Sequence, residues 1–194
     1  MNNAEIKILG LGGSNSQPAN SITALNIAAD GAREAGASVE VINFANLNLP
    51  FFVPNQPIEV YVQSEAIASL LEKVKAADGY LLCAPTYHGT IGGLWKNGMD
   101  FLELLPRRPK TYLEGKICGL MAVGGGTYAA ANTLTAMQHM TKALRAWAAP
   151  GSVPILGAKK SFDAEGRFQD EKTTEQLKML GRQVVEFIQL QKRA

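Results

Sequence analysis

The chain has 194 residues, with 19 Lys and Arg against 17 Asp and Glu for a net charge of +2. That length buries a sizeable core and fits one domain over residues 1–194. So small a charge leaves no electrostatic footprint for nucleic acid or a membrane surface, and no apolar run approaches the ~20 residues that cross a bilayer. Two isolated His and two isolated Cys give no metal-ligand spacing, and Cys83 and Cys118 read as core thiols. Met1 to Glu5 carries no basic patch ahead of an apolar segment, so the expected compartment is the cytoplasm.

Apolar strands alternate with helical patterns along the chain. The first strand is predicted over 5–11, followed by a helix over 21–36 that stops at Gly36. Ser38 to Phe44 forms the second strand, and a turn-rich stretch with Leu49, Pro50 and Pro54 leads to a helix over 58–77. In that helix Val60, Ile67, Leu70, Leu71 and Val74 recur at helical spacing. A third strand over 79–84, a helix over 91–104, a fourth strand over 116–123 and a helix over 129–146 follow. Val153 to Leu156 gives a short fifth strand, then the turn signal Asp163-Ala164-Glu165-Gly166, and an amphipathic helix over 170–191 closes the series. Strict alternation predicts a flavodoxin-like, doubly wound α/β fold: a five-stranded parallel sheet of order 2-1-3-4-5 with helices on both faces.

Three loops rich in glycine and hydroxyls follow apolar strands, where open α/β sheets bind ligands. Loop one is Gly12-Gly13-Ser14-Asn15-Ser16-Gln17-Pro18-Ala19-Asn20-Ser21, loop two Pro85-Thr86-Tyr87-His88-Gly89-Thr90, and loop three Gly124-Gly125-Gly126-Thr127. Gly10-x-Gly12 begins a dinucleotide fingerprint but fails it: Asn15 holds the third glycine position, and strand two ends in Asn43-Phe44 rather than an acid for a ribose diol. No Gly-Lys-Ser/Thr follows, so loop one is not a P-loop either. What is left is a loop entering a helix near Ser21, where free amides and the helix dipole suit a phosphate. Ser14, Ser16, Asn20, Ser21 and Thr23 add side-chain donors; the alternative is a plain turn with a capping serine. In loop two the backbone suits the polar edge of a flat ring. His88 lines that edge or acts as a general acid or base, and no carboxylate or nucleophile at readable distance favours the second role. Lys96, Asn97 and Asp100 read as capping and packing residues.

Pro85-x-Tyr87-His88-Gly89-Thr90, continuing into Leu94-x-Lys96-Asn97-x-x-Asp100, resembles the P-x-Y-x-x-S/T…L-K-N-x-x-D pattern of the NAD(P)H-dependent FMN reductases. These are flavodoxin-like quinone, azo-dye and chromate reductases. Leu49-Pro50, Gly115-Lys116 and the triple glycine resemble that family too. The resemblance implies FMN as cofactor and NAD(P)H as electron donor. Ser14, Ser16, Gln17, Asn20, Ser21 and Ile22 would hold the phosphate, and Pro85, Thr86, Tyr87 and His88 would run along the isoalloxazine. Gly124, Gly125 and Gly126 would border the ring from the far side, with no protein nucleophile and no metal. The family's first loop carries an arginine where this chain has Ser16-Gln17 and a slightly longer loop. The implied acceptor is a small molecule: a quinone, free flavin, azo compound or metal oxyanion. A homodimer or homotetramer is implied as well, with Trp95, Met99, Phe101 and Trp147 as candidate interface anchors and core packing as their alternative. The competing function is a flavodoxin-type electron carrier, although such carriers are typically acidic and this chain is slightly basic.

Overall fold

The computed structural model describes residues 5–107, 109–126, 128–156 and 161–193. Strand β1 (Lys7–Gly12) leads into helix α1 (Asn20–Glu34), which Gly36 stops at a φ of 90°, as predicted. Strand β2 (Ser38–Asn43) runs into a short 3₁₀ turn at Phe44–Asn46. Helices α2 (Ile58–Tyr61) and α3 (Glu65–Ala76) precede β3 (Gly79–Tyr87), β4 (Thr90–Ile91) and α4 (Gly93–Asp100). Then come β5 (Ile117–Val123), α5 (Ala129–Ala143), β6 (Trp147–Ala148), β7 (Val153–Ile155) and α6 (Glu171–Gln191).

The main strands are all parallel, in the order β2-β1-β3-β5, with β6 and β7 sharing the far edge of β5. Counting β7 as the fifth main strand, this is the predicted 2-1-3-4-5 arrangement. The period of two along each strand divides the core. Tyr80, Leu82 and Ala84 of β3 face one layer together with Cys118, Leu120 and Ala122 of β5. Leu81 and Cys83, with Ile117, Met121 and Val123, face the other layer, which α1 and α6 cover. Both faces are buried, which is why these strands read as unbroken apolar runs.

In the second layer α1 and α6 meet backbone to backbone. A Cβ on Gly31 would lie 2.1 Å from the Lys178 carbonyl oxygen, and one on Gly181 2.0 Å from that of Ala28. Only hydrogen fits at either position. At the rim, Lys178 and Arg182 both pair with Glu34, which holds that carboxyl below its usual range, chiefly through the Lys178 hydrogen bond.

Several boundaries differ from the sequence expectation. The helix expected over 58–77 breaks after Tyr61, whose hydroxyl is bound by the Val53 N–H (2.7 Å) and donates to the Val53 carbonyl (2.9 Å). Tyr61 also stacks on Phe52 and meets Phe101 edge-on, so it is buried, while Val60, expected on the apolar stripe, is 49% exposed. Strand three runs three residues past Ala84, and Thr90–Ile91 pairs back on Tyr87 and Thr86 as an antiparallel hairpin instead of opening a helix at 91. That helix becomes 3₁₀ from Phe101 to Leu104. The helix expected to reach 146 ends at Ala143, and Trp147 joins the sheet. Among the described residues, no helix is long and apolar enough to cross a membrane.

Candidate functional site

Parallel strands bring the carboxyl ends of β1, β2, β3, β5 and β7 to one edge of the sheet, and all three loops leave from it. Two contacts draw the loops together. Trp95 of α4, buried under loop one, donates its Nε1–H to the Leu11 carbonyl (3.1 Å), and a Cβ on Gly13 would meet Trp95 Cα at 2.9 Å. Thr86 at the end of β3 donates to Thr133 Oγ1 (2.9 Å), which joins loop two to the helix that follows loop three. Thr133 in turn donates to the Ala129 carbonyl, so its hydroxyl is oriented.

In loop one Ser14 is buried, and Asn43 holds its backbone at both ends. The Ser14 N–H donates to Asn43 Oδ1 (3.1 Å), and its carbonyl accepts from Asn43 Nδ2 (2.9 Å). The Ser14 and Ser16 hydroxyls lie 2.8 Å apart, and Ser16 Oγ reaches the Pro18 carbonyl at 3.3 Å. Gln17 is exposed. No side chain caps α1: the residue before it is Ala19, whose carbonyl takes the N–H groups of Ile22 and Thr23. The Asn20 and Ser21 amides, at the head of the helix, have no earlier turn to bond. Ser21 Oγ and Asn20 Oδ1 are both buried without a partner. Thr23, expected to face a phosphate, instead donates to the Gly166 carbonyl (3.1 Å).

In loop two, Pro85, Thr86 and Tyr87 belong to the strand and not to a free turn, and the Pro85 carbonyl accepts from the Gly92 N–H (2.9 Å). His88 and Gly89 make the two-residue turn between β3 and β4 with φ of 51° and 81°, the pattern of a type I′ hairpin. The turn lifts His88 and the 54%-exposed Tyr87 clear of the sheet edge. In loop three the Gly124 N–H donates to the Ile155 carbonyl (3.0 Å), and a Cβ on Gly124 would press on the Ala130 amide at 2.9 Å. Gly125 and Gly126 are exposed, and a Cβ on Gly125 would meet nothing. Thr127 lies outside the described residues.

The structure thus places all three loops at one edge of the sheet. It also adds residues that sequence reasoning missed: Asn43, which was read only as the absence of an acid, Thr133, and the turn at Asp163–Arg167. That turn presses on loop one, since a Cβ on Gly166 would lie 2.4 Å from Pro18 Cβ. Asn97 has the packing role expected of it, accepting from the Phe52 N–H (2.9 Å) and donating to the Pro50 carbonyl (2.9 Å). Lys96 and Asp100 pair along one turn of α4. Trp95, Met99 and Phe101 are buried in the core, which removes them as interface anchors because they have no surface to offer. Trp147, 61% exposed, keeps that possibility.

Neither cysteine is an activated nucleophile. Burial drives the Cys83 thiol far up and pushes Cys118 to about 12, so neither ionises near neutrality. What the head of α1 offers suits a phosphorylated ligand with a polyol chain. A buried hydroxyl with no partner costs free energy until something binds it. The Ser21 O–H and the neighbouring amides supply donors for an anion, and Asn20 Oδ1 is an acceptor for a hydroxyl. FMN carries both groups, so the residues present fit it.

Comparison with known proteins bears on the family and the fold. The sequence model of a family described as NADPH-dependent FMN reductase matches residues 6–160. An NAD(P)H-dependent FMN reductase of Pseudomonas aeruginosa is 27% identical over 176 residues, which covers 88% of this chain and 89% of that protein. An NADPH azoreductase of a Bacillus species is 36% identical over 93 residues, about half of each chain, at 48% and 49%. Among solved structures, the flavoenzyme NAD(P)H:(acceptor) oxidoreductase FerB of Paracoccus denitrificans superposes with a TM-score of 0.73 at 16% identity, a likeness of fold that covers 95% of this chain and 98% of that one.

Proposed function

The chain belongs to the NADPH-dependent FMN reductase family, and from that premise we propose that it oxidises NAD(P)H through FMN bound at the three-loop crevice. The proposed final acceptor is a small molecule: a quinone, free flavin, azo compound or metal oxyanion. That the chain is an enzyme of the NAD(P)H-dependent FMN reductase type follows from its family. The finer reading adds the acceptor class, the residues that hold the cofactor, a cytoplasmic location and a homo-oligomer in which exposed Trp147 is the surviving anchor candidate.

The observation that carries this reading is the pair of buried, unpartnered oxygens on Ser21 and Asn20 at the head of α1. Bound FMN supplies a carrier that accepts a hydride from a nicotinamide and passes electrons onward. The chain's own work is then positioning. Ser21 and the first amides of α1 hold the phosphate, helped by the positive end of the helix dipole. Ser14 and Ser16 keep loop one folded through their mutual hydrogen bond. Thr86, fixed on Thr133, sets the height of the loop-two backbone against the ring. Gly125 and Gly126, with no side chains, leave the far side open to a flat reactant. His88 lines the ring edge from its turn and takes no part in proton transfer.

The test is NAD(P)H oxidation by the purified chain, with and without added FMN, in the presence of a quinone acceptor. FMN-dependent oxidation supports the proposal. A chain that binds FMN yet oxidises neither NADH nor NADPH is a carrier of the flavodoxin type, and the proposal fails.

A further inference from the structure

We propose that the groove between the edge strand β7 and helix α6 is a second binding site, built for a small neutral ligand that carries a primary carboxamide on an apolar body. A cavity of about 220 Å³ lies there. Ser152, Val153 and Pro154 form one wall, and Gln176, Met179 and Gln183 form the other. The three helical residues fall at i, i+3 and i+7, so a single face of α6 supplies them. The cavity is remote from the three loops, because Gly151 and Ser152 precede β7 at its amino end and the loops leave the carboxyl ends of the strands.

Two observations point to a ligand. Ser152 Oγ and Gln183 Oε1 are both buried without a hydrogen-bond partner, and such atoms cost free energy until something bonds them. Exchanging the oxygen and nitrogen of the Gln183 amide does not remove that cost, because an N–H is then unmet in the same place. Gly151 admits the amide, since a Cβ there would lie 2.6 Å from Gln183 Oε1. The second observation is the chemistry of the lining. Among the described residues no charged side chain lines the cavity, and Val153, Pro154, Met179 and Leu180 are apolar.

These features select the occupant. An ion would find no counter-charge. The volume exceeds what one bridging water fills, at about 30 Å³ each, yet falls below the roughly 300–1,000 Å³ of a cofactor pocket. A further strand is refused as well. The Ile155 carbonyl turns to β5, where it accepts from Gly124, so the period of two turns the Pro154 backbone outward, and proline has no N–H to give. A carboxamide brings two donors and an acceptor, so it pairs with the Gln183 amide in either orientation and reaches the Ser152 hydroxyl. Its apolar body then covers Met179, which is 46% exposed.

The experiment titrates benzamide into the full chain in the presence of FMN, with the methionine methyl groups isotopically labelled, and follows the Met179 resonance. Methyl benzoate, which keeps the ring but has no N–H, is the control. The expected result is a saturating shift with a dissociation constant of about 1–10 mM, the strength open to so small a molecule. Methyl benzoate should bind about fivefold more weakly, and Ser152→Ala and Gln183→Leu should each weaken benzamide by about the same factor. Both variants should melt at or above the wild-type temperature, since each removes an unpartnered polar atom. The proposal is overturned if Met179 does not respond up to about 50 mM benzamide, which leaves the cavity to water. It fails too if methyl benzoate binds as tightly as benzamide, because the groove is then only an apolar cleft. It is equally overturned if either variant binds benzamide as the wild type does, or if either melts several degrees lower, since that oxygen is then engaged in the fold.

Discussion

Replacing Ser21 by alanine separates a ligand-binding hydroxyl from a structural one, because the two roles move stability and affinity in different directions. In the flavin-free chain Ser21 Oγ is buried and bonds nothing. Its removal takes away no intramolecular hydrogen bond and relieves a desolvated polar atom, a gain of up to about 1 kcal/mol or a little more. In a chain of this size about 1 kcal/mol moves the melting temperature by roughly 2–4 °C, so the flavin-free variant should melt at the wild-type temperature or slightly above it. On the proposed reading, the same hydroxyl would donate to the charged phosphate of bound FMN, an interaction worth about 1.5–3 kcal/mol. Each 1.4 kcal/mol is about tenfold in affinity, so the dissociation constant should rise roughly 10- to 150-fold. Scanning fluorimetry without flavin and fluorescence titration with FMN give the two numbers on one preparation. Unchanged FMN affinity refutes the assignment of Ser21. A flavin-free melting temperature that falls by several degrees refutes the premise that the hydroxyl is unpartnered.

Gln17→Arg should tighten FMN severalfold in the same titration, with the gain fading at high salt, because position 17 is exposed in loop one and a guanidinium can fork onto phosphate oxygens; no gain means that the position points away from the phosphate. His88→Asn keeps a residue suited to the positive φ of 51° at this turn while removing the imidazole. NAD(P)H oxidation at saturating FMN should then stay within about tenfold of wild type from pH 5.5 to 8.5, and a loss beyond about a hundredfold would make His88 a general acid or base. Gly181→Ala drives a methyl group to within 2.0 Å of the Ala28 carbonyl oxygen and should destabilise the chain by about 1–3 kcal/mol or more through forced separation of α1 and α6. A denaturant melt with an unchanged midpoint would show that the two helices part without cost.

The frame of the fold was legible because β1, β3 and β5 are buried on both faces and are apolar almost without interruption, while α1 and α6 carry one-sided stripes. Placing the three loops on one edge needed nothing beyond the parallel order. What escaped were features decided by distant partners. The break after Tyr61 comes from its hydroxyl bonding to Val53 and its ring packing on Phe52 and Phe101, none of which a helical period encodes. The hairpin at Tyr87–Thr90 was readable in principle, since His88-Gly89 supplies two residues at home at positive φ, but its strands are too short to show alternation. Within the site, the hydroxyl residues of loop one stood out by composition. Their division of labour did not: Thr23 turned to Gly166, Ser14 to Ser16 and Asn43, and Ser21 alone among the serines of the loop was left buried and unpartnered.

The contact between Thr23 and Gly166 spans 143 residues of chain, and the same distant segment brings the Gly166 backbone against Pro18. Loop one emerges early in synthesis and meets Asn43 and Trp95 soon after, yet the segment around Gly166 reaches it only with the last part of the domain, along with α6, which covers α1. A nascent chain that has reached β5 already has the central strands β1, β3 and β5 available, but loop one still lacks its contacts with Gly166. On the proposed reading of loop one, a chain interrupted before residue 161 should emerge with its central strands and a weakened grip on flavin.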